Sequence, residues 1–166
     1  MLATRSVKTL MQITALLLCF AFLAGCGFKL RTASVLPEDM QNLVVTANNP
    51  ESQLYAQLQK NLSFSNIQTL DSKAASAELK LLDDKLTRRT LSLFPNGQVA
   101  EHELIYTVRY QLIREQQKPI TNSFELTRNY QDDPDNALAK SREMELILSE
   151  LRVQASNMII RQLGQY

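Results

Sequence analysis

Apolar and polar positions alternate most clearly in the second half of the chain. His102, Leu104, Tyr106, Val108, Tyr110 and Leu112 share one parity, and Glu101, Glu103, Thr107, Arg109 and Gln111 take the other, with Ile105 and Ile113 as exceptions. A period of two predicts a strand with one apolar face. Ile120, Phe124, Leu126 and Tyr130 against Thr121, Ser123, Glu125, Thr127 and Asn129 predict another, after a turn over 116–119. Upstream, Phe94-Pro95-Asn96-Gly97-Gln98 places Asn-Gly between two strand-like runs, a strong short-range hairpin signal. Before it, Ala77, Leu79 and Leu81 alternate with Glu78 and Lys80, the phase slips at Leu82-Asp83-Asp84, and Leu91 and Leu93 resume it. A bend or bulge near Asp83 accounts for the slip.

The period changes at both ends of this block. LVVTA at 43–47 is a short apolar run with β-branched residues, a predicted strand. Asn49-Pro50-Glu51 then offers an N-cap, a first helical proline and an acid for the helix dipole. Leu54, Leu58 and Leu62 follow on one helical stripe of about 13 residues. At the far end, Asp132-Asp133-Pro134-Asp135 repeats the cap-then-proline start, and no proline follows it. Ala137, Met144, Leu148, Leu151, Ala155, Met158, Ile159 and Leu163 give helical spacings through a helix of about 30 residues. The apolar sheet face must be covered. The expected fold is α+β, a two-layer sandwich of about four mostly antiparallel strands with two helices on one face, in the order strand-helix-strand-strand-strand-helix.

The first 25 residues stand outside this pattern. Arg5 and Lys8 form a short positive head, the run 10–22 is apolar but for Gln12 and Thr14, and Leu23-Ala24-Gly25 supplies small residues before Cys26. The run is too short to span a bilayer and reads as an export signal. Leu-Ala-Gly-Cys resembles the bacterial lipobox, which implies cleavage before Cys26 and lipid attachment to it. Residues 1–25 are then a cleaved lipoprotein signal peptide and 26–166 one periplasmic domain. Each buried methylene contributes about 0.8 kcal/mol, so several acyl chains hold a protein firmly to a membrane. Gly27 is not the aspartate that retains many enteric lipoproteins on the inner membrane, so the expected location is the outer membrane, periplasmic side.

Composition narrows the function. Loss of 1–25 removes Arg5 and Lys8 and no acid, turning the net charge from +1 to −1. That gives no drive toward nucleic acid. Cys19 leaves with the signal and Cys26 becomes the anchor, so no disulfide is expected. A single histidine, His102, excludes a two-histidine metal site, and its place on the apolar parity suits a structural role. Three glycines remain and do not cluster, so there is no phosphate loop. Asp132, Asp133 and Asp135 suit helix capping better than calcium, since no glutamate stands at the EF-hand spacing. No enzyme, metal or cofactor is expected. Lys85, Arg88, Arg89, Arg109, Arg128 and Lys140 lie on or beside the sheet and could grip an anionic phosphate-bearing ligand, or could be solvated charges. Polar rows of Thr, Ser, Asn and Gln suit either bulk water or the hydrated interior of a β-barrel.

Three motifs in order carry a family resemblance. Cys26-Gly27-Phe28-Lys29-Leu30-Arg31 resembles a Cys-Gly-aromatic-x-Leu-Arg start, Phe94-Pro95-Asn96-Gly97-Gln98-Val99-Ala100-Glu101 a Phe-x-Asn-Gly-Gln-x-Ala-Glu hairpin, and Asp133-Pro134-Asp135-Asn136-Ala137-Leu138-Ala139-Lys140 an Asn-Pro-x-x-Ala-Leu-Ala-Lys helix start. With the lipobox, the chain resembles the LptE family of LPS-assembly lipoproteins, also called RlpB. The resemblance implies a plug inside the LptD outer-membrane β-barrel, helping that barrel assemble and binding lipopolysaccharide for insertion into the outer leaflet. It assigns an LPS contact to Lys140. Pro95 stands where some relatives carry an arginine linked to LPS binding, so the resemblance implies a basic cluster that either is weaker here or borrows Arg88 or Arg89. The alternative from the residues alone is a stand-alone periplasmic lipoprotein that binds a small ligand or peptidoglycan.

Overall fold

Three long antiparallel strands form the body of the molecule: β3 (Ala77–Leu93), β4 (Val99–Arg114) and β5 (Ile120–Gln131). β1 (Asn42–Ala47) adds parallel to β3, and a two-residue β2 (Gln68–Thr69) adds parallel to β1, giving the order β2-β1-β3-β4-β5. Two helices, α1 (Gln53–Phe64) and α2 (Ala137–Leu163), bury their apolar stripes on one sheet face. The α+β sandwich is as expected, and β2 is an edge addition that the pattern did not predict. The computed structural model describes residues 36–37, 40, 42–64, 68–69 and 75–166. These belong to one compact unit, Ala33–Tyr166. Residues 1–25 and Cys26, with the leader and lipid anchor assigned to them, lie outside the described residues.

Local chemistry explains each boundary. The register between β3 and β4 shifts between Leu81 and Asp83, which is the predicted bulge. Ala77, Leu79 and Leu81 face the helices before it, and Asp84 and Leu86, opposite Val108 and Tyr106, face them after it. In the 94–98 loop, the Gly97 N–H donates to the Phe94 carbonyl at 2.9 Å with Gly97 at φ +84°. A Cβ there would touch nothing within 4 Å, so this turn needs glycine for its backbone angle and not for space. The start of α1 differs from expectation. Asn49 closes a preceding turn through its Oδ1 and the Glu51 N–H, and the helix cap is Ser52, whose Oγ accepts from the Tyr55 N–H at 3.1 Å. Proline at 50 requires only its own φ, which a turn satisfies as well as a first helical position.

The core sits between the helices and one end of the sheet. Leu54, Leu58 and Leu62 of α1 meet Leu43 and Val45 of β1, Leu79 and Leu81 of β3, Tyr110 and Leu112 of β4, and Leu151, Ala155, Ile159 and Leu163 of α2. Ser156 is the one buried polar side chain among the described residues, and Asn61 of α1 donates to its Oγ. The first half of α2 buries much less: Leu138 is 69% exposed and Leu146 61%.

Candidate functional site

The site lies at the hairpin end, where β5 hands the chain to α2. Asp132 N–H donates to the Ala100 carbonyl, carrying the sheet one residue past β5. Asp133 then caps a 3-10 turn at Pro134–Asn136. Its carboxylate accepts from the Asp135 N–H at 3.1 Å and from the Asn136 side-chain amide at 2.7 Å. These bonds favour the ionised form and hold its carboxyl below the usual carboxylate range, Asn136 having the larger effect. Proline removes an N–H that would have no partner in a first turn. So the acidic run is a cap, as the sequence indicates, and among the described residues no group of three or more His, Cys, Asp or Glu is placed to hold a metal.

Lys140 follows on the first turn of α2 and is fixed from the sheet. The Tyr130 hydroxyl donates to the Lys140 carbonyl at 3.1 Å, and the ammonium lies 5.2 Å from the centre of the Tyr130 ring. Its Nζ also pairs with Glu143 Oε2 at 2.8 Å. That hydrogen bond raises the lysine above its ordinary range. Beneath Tyr130 the imidazole of His102 stacks at 6.4 Å and 24°, with Nε2 3.7 Å from Asp132 Oδ2. The His102 side chain is 15% exposed, and its Nδ1 is buried with no hydrogen-bond partner. His102 thus occupies the structural position read from its parity.

An open groove of about 810 Å³ runs between the hairpin loop and this helix start. Phe94, Pro95 and Asn96 line one side; Asp132, Asp133 and Lys140 line the other. Pro95 therefore shares a groove with Lys140. Glu101, Asp132, Asp133 and Asp135 also line it, so Lys140 is its single base among four carboxylates.

The remaining candidate bases separate by face. Register puts Arg88 opposite Leu104 and Leu104 opposite Arg128, a cross-strand row on the helix side, next to the row Thr90–His102–Tyr130. Arg88 is exposed, makes no ion pair among the described residues, and its charge favours the ionised form of Tyr130, whose pKa burial raises. Arg89 points the other way and pairs with Glu103 at 2.5 Å on the helix-free face. Arg109 pairs with Asp83 at 3.6 Å on that same face. Two neighbours in sequence are thus divided between two surfaces, because successive strand residues alternate.

The face away from α1 and α2 is broad and mostly polar, with Ile105 and Ile113 among its residues. Thr107 and Gln111 of β4 stand opposite Glu125 and Thr121 of β5, joined by side-chain hydrogen bonds of 3.2 and 3.3 Å. Ser123, Thr127 and Asn129 continue the surface, all exposed. No helix among the described residues is long and apolar enough to cross a membrane.

A family model named LptE and described as lipopolysaccharide-assembly matches residues 40–163. The LPS-assembly lipoprotein LptE of Photorhabdus laumondii is 34% identical over 155 residues, covering 92% of this chain and 85% of that protein. Its counterpart in Pectobacterium atrosepticum is 30% identical over 142 residues, covering 84% and 77%. Among solved structures, rare lipoprotein B from Shewanella oneidensis superposes with a TM-score of 0.70 at 36% identity, covering 75% of this chain and 94% of that one.

Proposed function

The chain belongs to the LptE family of lipopolysaccharide-assembly lipoproteins, and from that membership we propose that it is the lipid-anchored subunit of an outer-membrane LPS translocon. It is cleaved after residue 25, anchored through Cys26 on the periplasmic side of the outer membrane, and seated inside an LptD β-barrel that it helps to assemble. It contacts LPS at the hairpin end, through Lys140 and Arg88.

The observation that carries this reading is the two-faced sheet. One face is covered by α1 and α2, while the other offers Thr, Ser, Asn and Gln rows across β4 and β5 with none of the described helices over them. A polar sheet surface that keeps its side-chain bonds suits the hydrated lumen of a barrel, where apolar docking is not available. Lys140 and Arg88 share the opposite side near Tyr130, so lipid contact and barrel contact need not compete. The pairing of Arg89 with Glu103 on the face away from Lys140 supports Arg88, rather than Arg89, as the second base of the lipid contact.

Tagged full-length protein, solubilised in mild detergent, brings down a large β-barrel protein; recovery of the tagged chain without one sinks the reading. Cys26→Ala abolishes incorporation of labelled palmitate and releases the protein from membranes. Lys140→Gln weakens LPS binding at unchanged thermal stability, and equal affinity would remove Lys140 from the site.

A further inference from the structure

The ammonium that this reading assigns to the lipid is already occupied. Glu143 stands one helical turn beyond Lys140 on the same side of α2, as the i,i+3 spacing dictates, and its carboxylate holds Nζ at 2.8 Å. Tyr130 restricts where that ammonium can go: its ring receives the charge at 5.2 Å, and its hydroxyl ties the Lys140 carbonyl. The groove adds four further carboxylates, from Glu101, Asp132, Asp133 and Asp135. An anion entering this space meets a base that is paired and surrounded by negative charge.

We propose that Glu143 is a built-in competitor for the anionic ligand, which must displace the carboxylate from Lys140 in order to bind. The proposal rests on the reading of Lys140 as a lipid contact and adds a rule of selection to it. A phosphate monoester carries about −1.5 to −2 charge near neutral pH and three acceptor oxygens. A carboxylate or a phosphodiester carries only a single charge and offers no gain over Glu143. The latch therefore favours phosphomonoesters on the glycolipid headgroup. Displacement costs Glu143 little, because its side chain is 45% exposed and returns to water, whereas Lys140 is 20% exposed and remains against Tyr130.

The test compares full-length wild type, Glu143→Gln, Lys140→Gln and the double variant, in detergent, binding purified LPS before and after enzymatic removal of its phosphomonoesters. Glu143→Gln tightens binding of phosphorylated LPS about two- to fivefold, the range expected from releasing one exposed ion pair. It leaves binding of dephosphorylated LPS unchanged, and it has no effect in the Lys140→Gln background. Unchanged or weaker binding by Glu143→Gln, with Lys140→Gln still impaired, overturns the latch and leaves the lysine contact standing. Tightening that survives in the double variant shows general repulsion by Glu143, and also overturns it. If Lys140→Gln binds phosphorylated LPS as well as wild type, the underlying contact fails and the latch with it.

Discussion

The two ends of the sheet share β3, β4 and β5, yet they behave as different materials. At the β1 end, Leu43, Leu79, Tyr110 and Leu112 lie under α1 and the last half of α2, and each is almost wholly removed from water. At the hairpin end, β3 carries exposed Leu91 and 60%-exposed Leu93, and the first half of α2 offers only partly buried Met144, Ile147 and Leu148. Leu104 and Tyr130 are buried there but lie outside the contiguous core. What fixes the chain as it passes from β5 into the helix is polar: Tyr130 to the Lys140 carbonyl, His102 beside Asp132, and Asp133 over the 3-10 turn. Apolar burial holds one end together, and the other is left able to exchange its contacts for a ligand's.

The largest expected contrast is a pair of leucine truncations on one strand. Leu79→Ala removes a fully buried side chain and costs about 2–5 kcal/mol. Leu93→Ala, fourteen residues along β3, changes stability by no more than about 0.5 kcal/mol. Chemical denaturation of the two variants measures both. Equal costs would mean that the hairpin end is held by apolar packing after all.

Much of this division was legible in the residues, and the missing part has a physical reason. Parity gave the buried face of β4 from Leu104 to Leu112, and the slip at Asp83 marked a real bulge. Parity cannot show how far a helix reaches over that face. Ala137 fits the helical spacing of α2 and is exposed. Arg88 and Arg89 read as one basic pair because they are adjacent, but alternation after the bulge sends them to opposite faces. The tie from Tyr130 to Lys140 spans ten residues and a cap, so it depends on the turn geometry and not on any spacing in the chain. Glu143 three residues from Lys140 was available as a helical pair; only the groove lined by Lys140 gives that pair a role.

A middle-sized effect tests the boundary between the two ends. Tyr106 is buried, and its hydroxyl donates to Asp84 at 2.7 Å just past the bulge. Tyr106→Phe leaves that carboxylate without its partner and costs about 1–3 kcal/mol. The same burial, with Asp84 adding to it, pushes the Tyr106 phenol far above its ordinary value, and burial does likewise for Tyr110. Both pKa values are raised in the folded state, so their contribution is complete below the unfolded value of about 10. It is lost as pH climbs toward the folded values, and the protein unfolds more readily in alkali. Absorbance titration should show these two phenols ionising only with unfolding; early ionisation of either would place water inside the core end.

The smallest effect belongs to the cap, and it is local. Asp133→Ala removes the acceptor of the Asp135 N–H and the Asn136 amide, so the first turn before α2 loosens while the Leu151–Leu163 half stays packed. Because these bonds depress the Asp133 pKa, the wild-type cap is complete above the ordinary carboxylate value, near 4, and weakens as pH falls through the lower folded one. Amide exchange should quicken at Asp135 and Asn136 in the variant, and in acid for the wild type, with the midpoint of global unfolding nearly unchanged. A drop in that midpoint comparable to Leu79→Ala would join the two ends into one cooperative unit.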